Sequence, residues 1–488
     1  MKGHLRMKST IRFAVFAIAG ALVFAGGEFN GGNGLISQAQ AQDASAEKSR
    51  TNSGRQTKRT EAHSEKGIKV LTQAQEQMEA DNNGAAVSTL SGMLGNPGAY
   101  KGIDIAIGHK FRAYAYIGQD KYGSALADFD KAIAHPSLPD WDKSELQFNI
   151  AQIALAQGQV SKAIRALEAW FAQAENPNAA AYFFAAQAYA QGDRWADAER
   201  NVEQGLAKMD KANPQENWYR VASVIYLQRE KYSKARPILE TMISLWPGKK
   251  EYYSQLGAVY SELGREKDSF AMLAMAYDNK LDLNGSEVLR LGQLYRMYEY
   301  PFRAAKIIEK GINDGKLKRN KKNCEEWGNA YFQAREMKRA MNPLECAAKA
   351  SNDGQIWLRL CQVHVQEDAW KSASSACNSA INKGGLDKDG GMAWQLAGIA
   401  RYELGEREEA IEAFDKCMGW DNTADSCVKW KNSVQAELVR EKAERDRQEA
   451  AAKAEAERAK EIEEQIKQIE KDSQSLSSST ADEAAGAE

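Results

Sequence analysis

Cysteine is absent from the first 323 residues of this 488-residue chain, so a lipid-modified cysteine near the N-terminus is not expected. Histidine is scarce, with five in all, and no Cys/His spacing of the zinc-binding kind occurs. The HExxH, GxSxG, P-loop and dinucleotide-binding signatures are missing too. Asp and Glu read as spread along solvated faces. Neither an enzyme nor a metal or other cofactor is expected. The formal net charge is only −2, so the basic face that nucleic acid requires is not expected either. Proline is rare, at nine, and no apolar run approaches the ~20 residues of a membrane-spanning helix. What remains is a helical, soluble composition that is 43% apolar and 27% charged.

The N-terminus reads as an export signal. Lys2, Arg6, Lys8 and Arg12 precede the short apolar stretch Phe13 to Ala25, and Ala39-Gln40-Ala41 offers a small-x-small cleavage site. The Gly-rich stretch Gly26 to Gln38 makes the gap long, so an earlier cut is the alternative. An uncleaved anchor would need a longer apolar run. Removing residues 1–41 takes away four basic groups and Glu28, a net +3, and moves the formal charge from −2 to about −5. The expected location is the periplasm, with no membrane insertion after cleavage.

Ten small residues recur at intervals of 33 to 39: Ala86, Ala125, Ala163, Ala198, Ala235, Ser269, Ala304, Ala340, Ala373 and Ala410. Such a period marks a stacked helical-repeat protein, a class that usually binds rather than catalyses. Tyr253-x2-Leu256-Gly257-x2-Tyr260 and Val288-x2-Leu291-Gly292-x2-Tyr295 fit the first helix of the 34-residue tetratricopeptide (TPR) signature. Trp394-x2-Ala397-Gly398 fits in part. Ala125-x3-Phe129, Ala410-x3-Phe414 and Ala235-x3-Leu239 with Pro247 fit the second. The expected fold is all-α: a right-handed superhelical solenoid of about ten TPR helix pairs with a C-terminal charged helix. Gly158, Gly192, Gly264 and Gly405 fall in the turns, where they can adopt left-handed conformations.

All six cysteines lie in the C-terminal third, an even number that suits an oxidising compartment. The register predicts the three nearest-neighbour bridges Cys324–Cys346, Cys361–Cys377 and Cys417–Cys427. The alternative is that some are free thiols filling small-residue positions.

The expected boundaries are a signal at 1–41, a flexible leader at 42–62, the TPR solenoid at 63–420, a capping and charged extended helix at 421–472, and a disordered tail at 473–488. The charged helix is dense in Glu, Lys, Arg and Ala, with opposite charges four apart. Leu438, Val439, Ile462, Ile466 and Ile469 are too few for a sustained heptad seam, so a single solvated helix is favoured over a coiled coil.

First helices line the concave face of such a solenoid, the usual ligand surface. That face is expected to carry Arg220, Gln228, Gln293, Arg296, Asn329, Phe332, Gln362, Gln366, Gln395 and Tyr402. Their amide and guanidinium groups suit an extended peptide or a carboxylate; plain solvated surface is the alternative. The repeated Lys and Asn set of carboxylate-clamping TPR pockets is not reproduced. Lys316, Lys318, Arg319, Lys321 and Lys322 form a basic loop, read as solvated or as facing an acidic partner. His364 stands where repeats usually hold Tyr and reads as packing.

Several stretches resemble one group, the exported TPR proteins encoded beside the TonB, ExbB and ExbD components of energised outer-membrane uptake. They are Arg59 to Lys66, Leu291 to Asn323 with Tyr300-Pro-Phe-Arg-Ala-Ala and Gly311-Ile-Asn-Asp-Gly-Lys, Trp357 to Leu386, and Trp394 to Phe414. The resemblance covers roughly residues 59–420; the cysteines and charged tail lie outside its pattern. It implies a non-enzymatic periplasmic adaptor or scaffold mediating protein–protein interactions, with TonB, ExbD or an outer-membrane receptor as partner and no catalytic residues to carry over. The alternative is an envelope scaffold for peptidoglycan, polysaccharide or secretion machinery.

Overall fold

Each repeat closes on a residue in the left-handed region, and this position sets the register of everything else. The computed structural model describes residues 61–484, with side chains through residue 474. The expected signal and nearly all of the leader lie outside the described residues. The chain divides into two compact units, the first ending at Leu281 and the second beginning at Asp282.

The first unit holds six helix hairpins. These are α1 (Glu65–Glu79) with α2 (Asn83–Leu94), α3 (Gly102–Ile117) with α4 (Tyr122–Ala134), and α5 (Asp140–Ala156) with α6 (Val160–Phe171). Then come α7 (Ala179–Gln191) with α8 (Trp195–Lys208), α9 (Glu216–Gln228) with α10 (Tyr232–Leu245), and α11 (Lys250–Glu262) with α12 (Glu266–Asp278). The second unit holds four: α13 (Gly285–Met297) with α14 (Pro301–Asn313), α15 (Lys321–Gln333) with α16 (Met337–Lys349), α17 (Gly354–Gln366) with α18 (Trp370–Lys383), and α19 (Gly390–Glu403) with α20 (Arg407–Cys417). One long helix, α21 (Ala424–Ala484), follows. It runs on through residues 473–484, which hold no glycine or proline to stop it, although the sequence reading gave them to a disordered tail.

The residue two places before each second helix has a positive φ: Asp81, Asp120, Gly158, Asp193, Glu230, Gly264, Glu299, Arg335, Asp368 and Gly405. Glycine takes this conformation freely, and Asp tolerates it better than most residues. The expectation for Gly192 is corrected here: its φ is −92°, and Asp193 makes the turn. Gly192 is small for another reason, because a Cβ there would sit 2.7 Å from Ile164 Cδ1.

Counting from these turns explains the period. All ten anchors fall three residues into a second helix, and every one except the half-buried Ser269 is fully buried. Seven residues before each turn residue lies a second small position: Ala74, Ala113, Ala151, Ala186, Ser223, Gly257, Gly292, Gly328, Cys361 and Gly398, all buried. Here the two helices of a hairpin touch. A Cβ on Gly292, Gly328 or Gly398 would lie 2.6–2.7 Å from Ile308, Leu344 or Phe414.

That contact makes a prediction. In an open helix Gly398→Ala would gain roughly 0.5–1 kcal/mol of backbone entropy, but overpacking of a filled core costs about 1–3 kcal/mol. The Phe414 ring is fully buried and has no room to retreat, so overpacking wins. Urea denaturation should show Gly398→Ala less stable than wild type, with Phe414→Leu recovering part of the loss. A stabilised Gly398→Ala would refute the contact.

The three expected disulfides are the three present, with Cα–Cα distances of 5.9 Å for Cys324–Cys346, 5.1 Å for Cys361–Cys377 and 6.1 Å for Cys417–Cys427. Cys361–Cys377 occupies the hairpin contact that Gly292–Ile308, Gly328–Leu344 and Gly398–Phe414 fill elsewhere. Cys417–Cys427 fastens α21 to the last hairpin, where Trp430 stacks on Phe414 at 5.8 Å between ring centroids.

Candidate interaction surface

All ten residues expected on the binding face lie on first helices, and all are half-buried except the exposed Gln366. In the second unit most of them are engaged across repeat junctions. Gln293 Nε2 and Arg296 donate to the two oxygens of Glu326, at 2.9 and 3.0 Å, joining α13 to α15. Arg359 on α17 donates to Asn329 Oδ1 on α15, and its guanidinium lies 5.8 Å from the centroid of the Phe332 ring. Gln362 reaches Met392 on α19. Gln395 donates to Ser426 Oγ at 2.8 Å, and Tyr402 OH donates to the Glu437 carboxylate at 3.0 Å, joining α19 to α21. The Tyr402 hydroxyl is harder to ionise than usual because this bond to Glu437 would set two negative oxygens together. The amides and guanidinium chosen as peptide ligands thus form a ladder from each repeat to the next.

The first unit carries bonds of the same kind at two junctions, α3 to α5 and α9 to α11, that sequence reading missed. Lys110 on α3 donates to Asp142 at 2.6 Å and Glu145 at 3.0 Å on α5, and Tyr114 OH donates to Glu145 at 2.8 Å. Burial opposes the Lys110 charge, but the two carboxylates outweigh it and raise its pKa. On α9, Glu216 accepts from Lys249 and Tyr252 of the next repeat, with Arg220 adding positive charge nearby; burial opposes the carboxylate, yet its pKa falls. Gln228 lies at the C-terminal end of the same helix.

The expectation that acidic residues sit on solvated faces is corrected here. Asp104, Asp128, Asp142 and Glu199 are buried. Asp104 accepts from Ser64 Oγ at 2.6 Å and pairs with His63 Nδ1 at 2.7 Å. Asp128 pairs with His109 Nδ1 at 3.0 Å and accepts from Arg112 at 2.7 and 2.8 Å. Burial alone would raise the Asp128 pKa, but hydrogen bonds and charge from His109 and Arg112 prevail and bring it to about 2. Asp104, Asp128 and Glu199 are held as structural anions. Asp104 and Asp142 lie nine residues before the small first-helix position, whereas Asp128 and Glu199 lie on second helices, three and one residues after the anchor, so no single period marks the buried acids.

Two open clefts remain on the second unit. One, of about 570 Å³, is polar and lined by Lys371, Ser374, Ser375, Asn378, Ser379, Asn382, Leu404 and Glu406. The other, of about 540 Å³, is mainly apolar and lined by Tyr300, Pro301, Phe302 and Ala334 together with Glu299, Arg303, Gln333 and Arg335. Tyr300 and Phe302 are 59% and 44% exposed, too open for core residues. The basic loop is partly spent: Lys316 bonds Asp282 at 2.9 Å, and Arg319 bonds Asn342. His364 is half-buried, and burial lowers its pKa. Among the described residues no group of three or more His, Cys, Asp or Glu is placed to hold a metal ion.

No family model matches the chain, and no curated protein matches it. Solved structures that are similar include a tetratricopeptide repeat protein from Parabacteroides merdae, at 16% identity over 55% of this chain and 99% of that one, with a TM-score of 0.32. YrrB, a TPR protein with an unusual peptide-binding site, is 14% identical over 36% and 85%, with a TM-score of 0.31. The TPR domain of P58(IPK) is 15% identical over 77% and 99%, with a TM-score of 0.22. The turn register, the two small positions and the helix pairing give both units the TPR fold, with a long charged helix at the C-terminal end.

Proposed function

We propose that this protein is a non-enzymatic adaptor that binds other proteins in the periplasm as an accessory of TonB-dependent outer-membrane transport. The observation that carries the binding role is the repeat itself: ten hairpins in one register, presenting shallow open clefts, suit a protein partner better than a small molecule. The transport context rests on the resembling segments, notably Tyr300-Pro-Phe-Arg, whose aromatic side chains line the apolar cleft. The export signal read at residues 1–41 and three disulfides support an oxidising compartment.

Crosslinking in intact cells, followed by mass spectrometry of whatever is attached, tests this. TonB, ExbD or an outer-membrane receptor among the specific products is the expected result. Cell-wall synthases or secretion components in their place would replace the reading with an envelope scaffold. Gln366→Ala is a clean probe of the first-helix face, because its side chain is exposed. Arg296→Ala is not, since it also removes the junction bond to Glu326.

A further inference from the structure

The long helix α21 holds an unexplained set of isoleucines. Its first turns dock on the last hairpin through Cys427, Trp430 and Val434. From Val439 to Gln474 every residue is exposed, and an ion pair of Glu441 with Arg407 of the last hairpin, at 3.8 Å, lies near its start. Local pairs such as Lys467–Glu463, at 2.7 Å, hold the free helix. In that polar stretch the isoleucines are Ile462, Ile466 and Ile469, which are 56%, 51% and 67% exposed. They are spaced four and three apart, the d, a and d positions of a heptad, and Ala459 and Ala452 continue the a positions toward the hairpins. A solitary solvated helix gains nothing from isoleucine there, since Ala, Glu and Lys are better helix formers.

We propose that further copies of this chain cover that face, with α21 self-associating as a short parallel, in-register coiled coil through Ile462, Ile466 and Ile469. Charge complementarity selects this occupant. In a parallel pair Arg458, at a g position, meets Glu463, at the following e position of the other copy, and the pairing repeats by symmetry. An antiparallel pair sets Glu463 against Glu463 or Glu470 of the other copy, depending on register, and like charges there repel. Isoleucine at both a and d favours three strands over two, so a trimer is the expected species. The seam spans only about two heptads, too short to be tight, and association is concentration-dependent. It also reconciles the sequence reading with the structure: the heptad pattern is not sustained along α21, but it is complete where the isoleucines lie.

Sedimentation velocity of the purified chain over about 1–200 μM tests the proposal in the affinity range of a weak seam. Wild type should shift toward two or three copies as concentration rises. Ile462→Lys with Ile469→Lys should stay monomeric, and both sites are exposed in the single chain, so its fold is retained. Arg458→Glu should weaken association, and Arg458→Glu with Glu463→Arg should restore it. A monomer at every concentration, an assembly that survives the lysine pair, or a charge swap that fails to restore association would each overturn the proposal.

Discussion

Replacing Cys361 and Cys377 together by alanine should destabilise the second unit by about 2–4 kcal/mol, or roughly 4–16 °C in melting temperature, and leave the first unit unchanged. Part of the loss is chain entropy. The bridge spans a sequence separation of 16, for which closing the loop in the unfolded chain is worth about 3 kcal/mol. Part is packing. Both sulfurs are fully buried at the hairpin contact, and two alanines leave a gap where other hairpins place Ile308, Leu344 or Phe414 against glycine. Repeat proteins pass stability between neighbours, so a loosened α17–α18 pair also weakens the support of α19, α20 and α21. Hydrogen exchange with mass spectrometry in rising urea would locate the effect. Protection should fall in peptides from 321–434 and hold in peptides from 102–245. Equal protection in wild type and variant would show that the bridge adds nothing to the native hairpin.

Legibility followed periodicity. The ten anchors were readable because each packs against its partner helix in the same way, so selection for a small side chain repeats every turn of the solenoid. The disulfide pairs were readable for the same reason: the register alone places Cys361 and Cys377 on facing helices. Gly192 shows the limit of that reasoning. It sits one residue from a turn and looks like the turn residue, but Asp193 takes the left-handed conformation while Gly192 makes room for Ile164. The placement of the expected binding residues on first helices was legible, and their partners were not. Placement of Arg296 and Tyr402 on first helices follows from the repeat; their engagement by Glu326 and Glu437 depends on the residues of the next repeat. The buried acids were illegible because each answers one partner set, His63 and Ser64 for Asp104, His109 and Arg112 for Asp128.

The Asp128 network carries the second large effect. Asp128 sits on α4 and is 2% exposed, and Arg112 on α3 extends from it to Ser91 on α2 at 3.0 Å, so one carboxylate ties three helices together. Asp128→Ala strands a largely buried guanidinium, and removing one partner of a buried pair costs about 3–5 kcal/mol. Acid should reproduce part of this loss in wild type. The Asp128 pKa is depressed from 3.8 to about 2, so its stabilisation is full above roughly pH 4 and is lost as pH falls through 2. A depression of that size corresponds to about 2 kcal/mol. Asp104 is depressed as well, despite its burial, by bonds from Ser64, His63 and the backbone of Lys101, and it steepens the same decline. Urea titrations between pH 5 and pH 2, read by exchange in peptides from 83–134, should show wild type losing stability toward Asp128→Ala as acid is added. Parallel curves, with the gap between the two proteins constant down to pH 2, would mean that the Asp128 charge contributes nothing and that the side chain merely fills space.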